Sequence, residues 1–221
     1  MNGMARMVFW AAIVAGTSYY FAHDLGATGP LAIVWKGAGV TLLAIWCAMQ
    51  ARSRDGWLIA AVMAFGALGD VLIETAGTTT GAAAFAMGHI GAIWLYLRNR
   101  RLRVTISQRL LVVLLVPLSL LVVMLITTPS ERLQVAVYTL LVAGMAASAW
   151  GSRFSRYRVG IGAIMFLLSD LIIVALLGAL TGPVPPIMSV SPPALLIWPL
   201  YFGGQVLIAW GVTRTLAHDG R

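Results

Sequence analysis

Long apolar runs separated by short polar breaks fill this chain from one end to the other. A membrane-crossing helix needs about 20 mostly apolar residues. On that measure the pattern predicts eight, over residues 7–22, 30–49, 56–75, 81–97, 108–126, 132–149, 158–177 and 195–213. The breaks hold Arg, Gly and Pro, and none is long enough to divide domains, so residues 1–221 read as a single polytopic transmembrane domain. The first run follows Arg6 in the manner of a signal peptide, but it closes on Tyr19, Tyr20 and Phe21. A cleavage site wants small residues there, so the run is read as a helix. The connection that carries Pro183, Pro185, Pro186, Pro192 and Pro193 is the longest. It is uncharged and is expected to lie against the membrane surface.

Composition supports an all-α membrane protein, a bundle of eight transmembrane helices. The chain is 60% hydrophobic and 10% charged, against about 25% charged for a soluble domain. A single Cys47 excludes an internal disulfide and any multi-cysteine metal site, and reads as a small core residue. The formal charge of +8 would raise nucleic acid as a partner for a soluble protein. Here the basic residues sit in short breaks between apolar runs and act as topology signals, so no nucleic acid is expected. With eight spans, Arg6, Arg52, Arg54, Arg98, Arg100, Arg101, Arg103, Arg109, Arg153, Arg156, Arg158, Arg214 and Arg221 share one side. That is 13 of the 15 Lys and Arg; Arg132 alone takes the other side, and Lys36 is inside a run. Basic loops stay inside, which predicts cytoplasmic termini in a bacterial inner membrane. Seven spans would break the alternation.

The apolar pattern is violated at matching places. Leu68-Gly69-Asp70-Val71-Leu72-Ile73 and Leu168-Ser169-Asp170-Leu171-Ile172-Ile173 each set an aspartate among aliphatic residues. A carboxylate at the bilayer centre costs about 2.5 kcal/mol or more. On the predicted topology Asp70 and Asp170 lie in the outer half of the bilayer, with Lys36, His89 and Tyr201 near the same depth and Gln205 one turn deeper. Glu74 is one turn beyond Asp70 on the same face. Each has a plainer use. Lys36 can snorkel, or it can neutralise one aspartate but not two and Glu74 as well. His89 can hydrogen-bond a neighbouring helix, Glu74 can face water, and Tyr201 can belong to an aromatic belt. Shared depth argues for one polar layer. Phe85 to His89 loosely matches Tyr201 to Gln205, which suggests two parallel four-helix halves.

These motifs together resemble the YhhN-like integral membrane proteins, a family that includes the lysoplasmalogenases. The resemblance rests on Leu68 to Leu72, Phe85 to His89, Phe166 to Asp170 and Tyr201 to Gln205, with Lys36 fitting as well. It covers nearly the whole chain. One departure is Gly91-Ala92, where the family pattern places an aromatic residue soon after the histidine. The resemblance implies hydrolysis of the vinyl ether of a lysophospholipid to a fatty aldehyde and a glycerophospho-base, with lipid as substrate and no cofactor.

A vinyl ether is cleaved by protonation of its β-carbon, and water captures the resulting oxocarbenium ion. Two carboxyls sharing a site can divide this work, one protonated as acid and one ionised as base. Asp70 and Asp170 are the expected pair. Lys36 is expected to hold the ionised partner, and His89, Tyr201 and Gln205 to position water or the ether oxygen, with Glu74 and Ser169 as further candidates. Intramembrane carboxylates also serve proton-coupled carriers, so a small-molecule transporter is the runner-up. A third reading gathers Asp70, Glu74, His89 and Asp170 around a divalent ion, although neither HxxxH nor HExxH spacing is present.

Overall fold

The computed structural model describes residues 3–22, 24–180 and 192–219. Eight α-helices follow in order: α1 (Gly3–Ser18), α2 (Gly29–Gln50), α3 (Arg54–Ala76), α4 (Thr78–Arg98), α5 (Ile106–Ile126), α6 (Arg132–Gly151), α7 (Ile161–Leu180) and α8 (Pro192–Asp219). A 3-10 turn, Tyr19–Phe21, extends α1, and a π-turn, Arg156–Gly160, leads into α7. No strand is present among the described residues. Seven helices, α2 to α8, are long and apolar enough to cross a membrane, and the bundle is that of a helical membrane protein. With 16 residues, α1 falls short by itself. The predicted ends agree within four residues, except that α8 runs on to Asp219. Of the proline-rich connection, Pro183, Pro185 and Pro186 fall outside the described residues. Pro192 and Pro193 open α8, where a missing N–H costs nothing.

Local chemistry sets the helix ends. Ser53 caps α3 by accepting from the Gly56 N–H at 3.2 Å. Thr105 and Gln108 form a reciprocal capping box at the start of α5. Gly77, at φ +89°, turns α3 into α4 through a conformation that side chains rarely adopt.

Consecutive helices pack on one another except α4 and α5; α8 returns to lie against α1, α2 and α3, and α4 packs on α6. Helix α5 stays at the periphery, beside α6 and α7. At one end of the bundle the Arg153 N–H donates to the Asn99 carbonyl at 2.7 Å, and the Asn99 amide to Asp55 Oδ2 at 2.7 Å. These bonds tie the start of α3 to the ends of α4 and α6, gathering three Arg-rich connections at that end. At the other, arginine-poor end, Gln134 of α6 donates to Thr79 of α4 at 3.3 Å. Helices α7 and α8 touch backbone to backbone. A Cβ on Gly162 would stand 2.7 Å from the Gly204 carbonyl oxygen, and one on Gly204 would stand 2.6 Å from that of Gly162.

Candidate functional site

The site is a cavity of about 310 Å³ at the arginine-poor end, enclosed mainly by α3, α4, α6, α7 and α8. Asp70 of α3 and Asp170 of α7 both line it. Asp70 is 2% exposed, beside the small residues Gly66, Ala67 and Gly69 that admit neighbouring helices; Asp170 is half-buried. Each carboxyl takes one phenol. Tyr201 donates to Asp70 Oδ2 at 2.8 Å, and Tyr138 donates to Asp170 Oδ2 at 2.8 Å. The Tyr201 hydroxyl also lies within electrostatic range of Asp170, so the two arms face one space. Apart from these tyrosines the walls are mostly apolar, with Ile73, Val135, Ile173, Phe85 and Trp198 among them, and Thr78, Thr79 and Gln134 add polar groups.

The other expected residues divide. Lys36 lines the cavity and lies within electrostatic range of Asp70, but its ammonium bonds Glu74 at 2.6 Å rather than an aspartate. This corrects the expected pairing, while Glu74 keeps the water contact expected of it. Glu74 is half-exposed and Lys36 mostly buried, so the pair forms where one partner keeps water contact. Ser169 lines the cavity as well, yet its hydroxyl is spent on the Ile197 carbonyl of α8 at 3.0 Å.

His89 and Gln205 do not line this cavity. They line a second space of only about 20 Å³, farther along the bundle, and act from behind the tyrosines. His89 Nε2 is 3.4 Å from the Tyr138 hydroxyl, and the Gln205 side chain bonds Tyr201. The expectation that they touch water or the ether oxygen in the main cavity is therefore replaced by a supporting position. Tyr96 closes the small space, and its buried hydroxyl has no hydrogen-bond partner among the described residues.

With this geometry in hand, comparison with known proteins decides the family. Residues 31–212 match the YhhN family. The chain belongs to it. No curated protein and no solved structure matches the chain at a significant level.

Beyond the positions that suggested YhhN membership, the structure adds Tyr138, which sequence reading missed. A lone tyrosine in a span carries no periodic signal, since its ring packs as readily as a phenylalanine. Only the position of α6 against α7 shows that the hydroxyl meets Asp170. No group of three or more His, Cys, Asp or Glu able to hold a metal ion occurs among the described residues. Glu74 faces Lys36 instead of joining Asp70, His89 and Asp170.

Proposed function

We propose that this YhhN-family chain is a membrane-embedded hydrolase that cleaves the vinyl ether of lysoplasmalogen-type lysophospholipids, with Asp70 and Asp170 as its acid–base pair. The observation that carries the reading is that two carboxyls from separate helices line one mostly apolar cavity, each held by a phenol. One carboxyl, protonated, delivers its proton to the β-carbon of the vinyl ether, and the C–O bond gains oxocarbenium character. The other, ionised, stabilises the cation and takes a proton from the attacking water. The hemiacetal so formed collapses to aldehyde and alcohol, and the proton returns to the first carboxyl. This is the two-carboxylate logic of glycoside hydrolysis applied to an acyclic cation. Tyr138 and Tyr201 orient the carboxyls, and His89 and Gln205 orient the tyrosines. Lys36, neutralised by Glu74, adds no net charge of its own.

In this reading all eight helices cross a bacterial inner membrane. Helix α1 and its 3-10 turn together span about 30 Å at the usual rises per residue, close to the hydrocarbon thickness. The termini are cytoplasmic and the cavity belongs to the outer half of the bilayer, near the lysophospholipid head group. The runner-up is a proton-coupled small-molecule transporter using the same carboxyls. A carrier needs a path onward from the cavity, and the space beyond is water-sized, which weighs toward the hydrolase. The deciding experiment incubates purified protein with lysoplasmalogen and measures fatty aldehyde. Turnover supports the reading. No aldehyde from any vinyl-ether lysolipid, together with pH-dependent uptake of a solute into proteoliposomes, replaces it with the carrier.

A further inference from the structure

Once a vinyl ether is placed at Asp70 and Asp170, the hydrocarbon chain attached to it needs a course out of the cavity. Along the bundle axis the way is shut. Phe85, Phe166 and Tyr201 pack edge to face with centroids 5.1 to 6.0 Å apart, and the space behind them is about 20 Å³. That is room for about one water, not for a lipid chain. Toward α1 the wall of the cavity is Trp198, and the same indole also lines a second cavity, of about 480 Å³, between α1, α7 and α8. Ile13, Met165, Phe202, Val206 and Leu207 line this lateral groove. The Thr17 hydroxyl beside them is already spent on the Ile13 carbonyl at 2.6 Å. The groove starts one turn from Tyr201, at the level of the carboxyls. From Trp198 to Leu207 it follows α8 for about 14 Å at the usual rise. One leaflet of hydrocarbon is about 15 Å deep, so the groove runs the depth that a single lipid chain occupies.

Trp198 is well placed to separate the two spaces. Its indole N–H donates to the Gly16 carbonyl of α1 at 2.7 Å, its ring stacks on Phe202 at 6.0 Å, and it meets Tyr19 at 4.5 Å. We infer that the groove between α1, α7 and α8 receives the hydrocarbon chain of the substrate, and that Trp198 is the partition the chain passes to reach the carboxyls. This rests on the hydrolase reading for the identity of the substrate, but not for the place of the chain.

The test therefore has a binding arm and a kinetic arm. The probe for binding is a lysophosphocholine with a saturated ether chain, which cannot be hydrolysed by this chemistry, carrying a photoreactive diazirine at the chain end. After photolysis with the full chain in liposomes, adducts should fall on Met165, Phe202 and Val206, and excess unlabelled lysoplasmalogen should remove them. Adducts spread evenly over lipid-facing positions such as Val113 of α5, and not competed, would overturn the proposal. For kinetics, Val206→Trp narrows the groove at a half-buried position. It should lower the ratio of kcat/KM for a 16-carbon over a 6-carbon vinyl ether by about tenfold or more, while Val113→Trp on exposed α5 should leave that ratio unchanged. An unaltered ratio in Val206→Trp also overturns the proposal. If wild-type protein releases no aldehyde at all, the hydrolase reading fails and the labelling pattern alone decides the groove.

Discussion

Asp70 and Asp170 each depend on one phenol at 2.8 Å, and that dependence can be measured. Asp70→Asn and Asp170→Asn keep the size of the side chain but remove the acidic proton and the charge. Each should nearly abolish aldehyde release, because general acid–base catalysis alone supplies about 100- to 10,000-fold. A carboxyl with only a structural role in a buried ion pair would instead cost about 3–5 kcal/mol of stability when removed. Melting temperature in detergent, read beside activity, separates the two: activity lost with Tm retained supports catalysis, and wild-type turnover in a folded mutant removes that residue. Tyr138→Phe and Tyr201→Phe keep the carboxyls and take one hydrogen bond from each of them. At about 1.5–3 kcal/mol for a bond to a charged group, turnover should fall roughly 10- to 100-fold. Tyr96→Phe should behave differently. Its hydroxyl is buried without a partner among the described residues, and an unsatisfied buried group costs about 1–3 kcal/mol, so Tm should hold or rise; a clear drop would reveal a partner. The aspartates were legible in the sequence because a carboxyl among aliphatics needs a reason. Tyr138 was not, because an aromatic in a span needs none. The choice of Lys36 between Asp70 and Glu74 was also hidden. Both carboxyls lie on one face of α3, and the choice falls to Glu74, where the ion pair keeps some contact with water.

Two elements, α7 and α8, fix where Asp170 stands relative to Tyr201, and their contact is bare backbone at Gly162 and Gly204. A methyl at Gly204 would meet a carbonyl oxygen that cannot swing aside. Gly204→Ala should therefore force the helices apart, destabilise the protein by about 1–3 kcal/mol as overpacking does, and lower turnover by disturbing the cavity. Gly144→Ala is the control, since its nearest neighbour would be Ile93 Cδ1 at an ordinary 3.6 Å. Equal thermal stability and turnover in the two variants would show that the close crossing does not matter. The proposed pair of four-helix halves is matched only in part: exchanging the halves carries the α2–α8 contact onto α4–α6, while the α3–α8 and α5–α7 contacts have no counterpart of comparable extent. The same exchange exposes where the halves diverge. Tyr201 of α8 corresponds to Phe85 of α4, and phenylalanine has no hydroxyl to give. Asp170 thus takes its donor from α6 instead. The helices were readable from apolar length. Which helix supplies a partner was not, because that follows from packing between segments distant in sequence.

For the whole molecule the open quantity is the number and direction of crossings. Seven helices meet the length and hydropathy of a span, while α1 approaches the length only with its 3-10 turn. The charge distribution separates seven crossings from eight only through Arg6. With eight crossings, 13 of the 15 basic residues fall on one side. The expectation that seven spans break the alternation fails when the missing crossing is α1, because the other seven still alternate and their connections keep their sides. The C-terminus after α8 stays with the Arg-rich loops, but Arg6 and the residues before it move to the opposite side. Arginines within about 15–20 residues of a span end weigh most in setting orientation, and the positive-inside rule would hold these in the cytoplasm. The prediction is that a fluorescent reporter folding only in the cytoplasm is active after Arg221, and that a phosphatase active only outside is silent there but active in the α3–α4 connection after Gly77. A cysteine placed at Asn2 should be protected from an impermeant thiol reagent in intact cells and labelled after lysis, with buried Cys47 replaced by Ala to clear the background. An active phosphatase after Arg221 would invert the bundle and place the carboxyl cavity on the cytoplasmic side. Labelling of position 2 in intact cells, with the C-terminus inside, would leave seven crossings, with α1 lying beside them as an uncrossed helix. In that case the lateral groove formed by α1, α7 and α8 would open at the outer surface rather than within the leaflet.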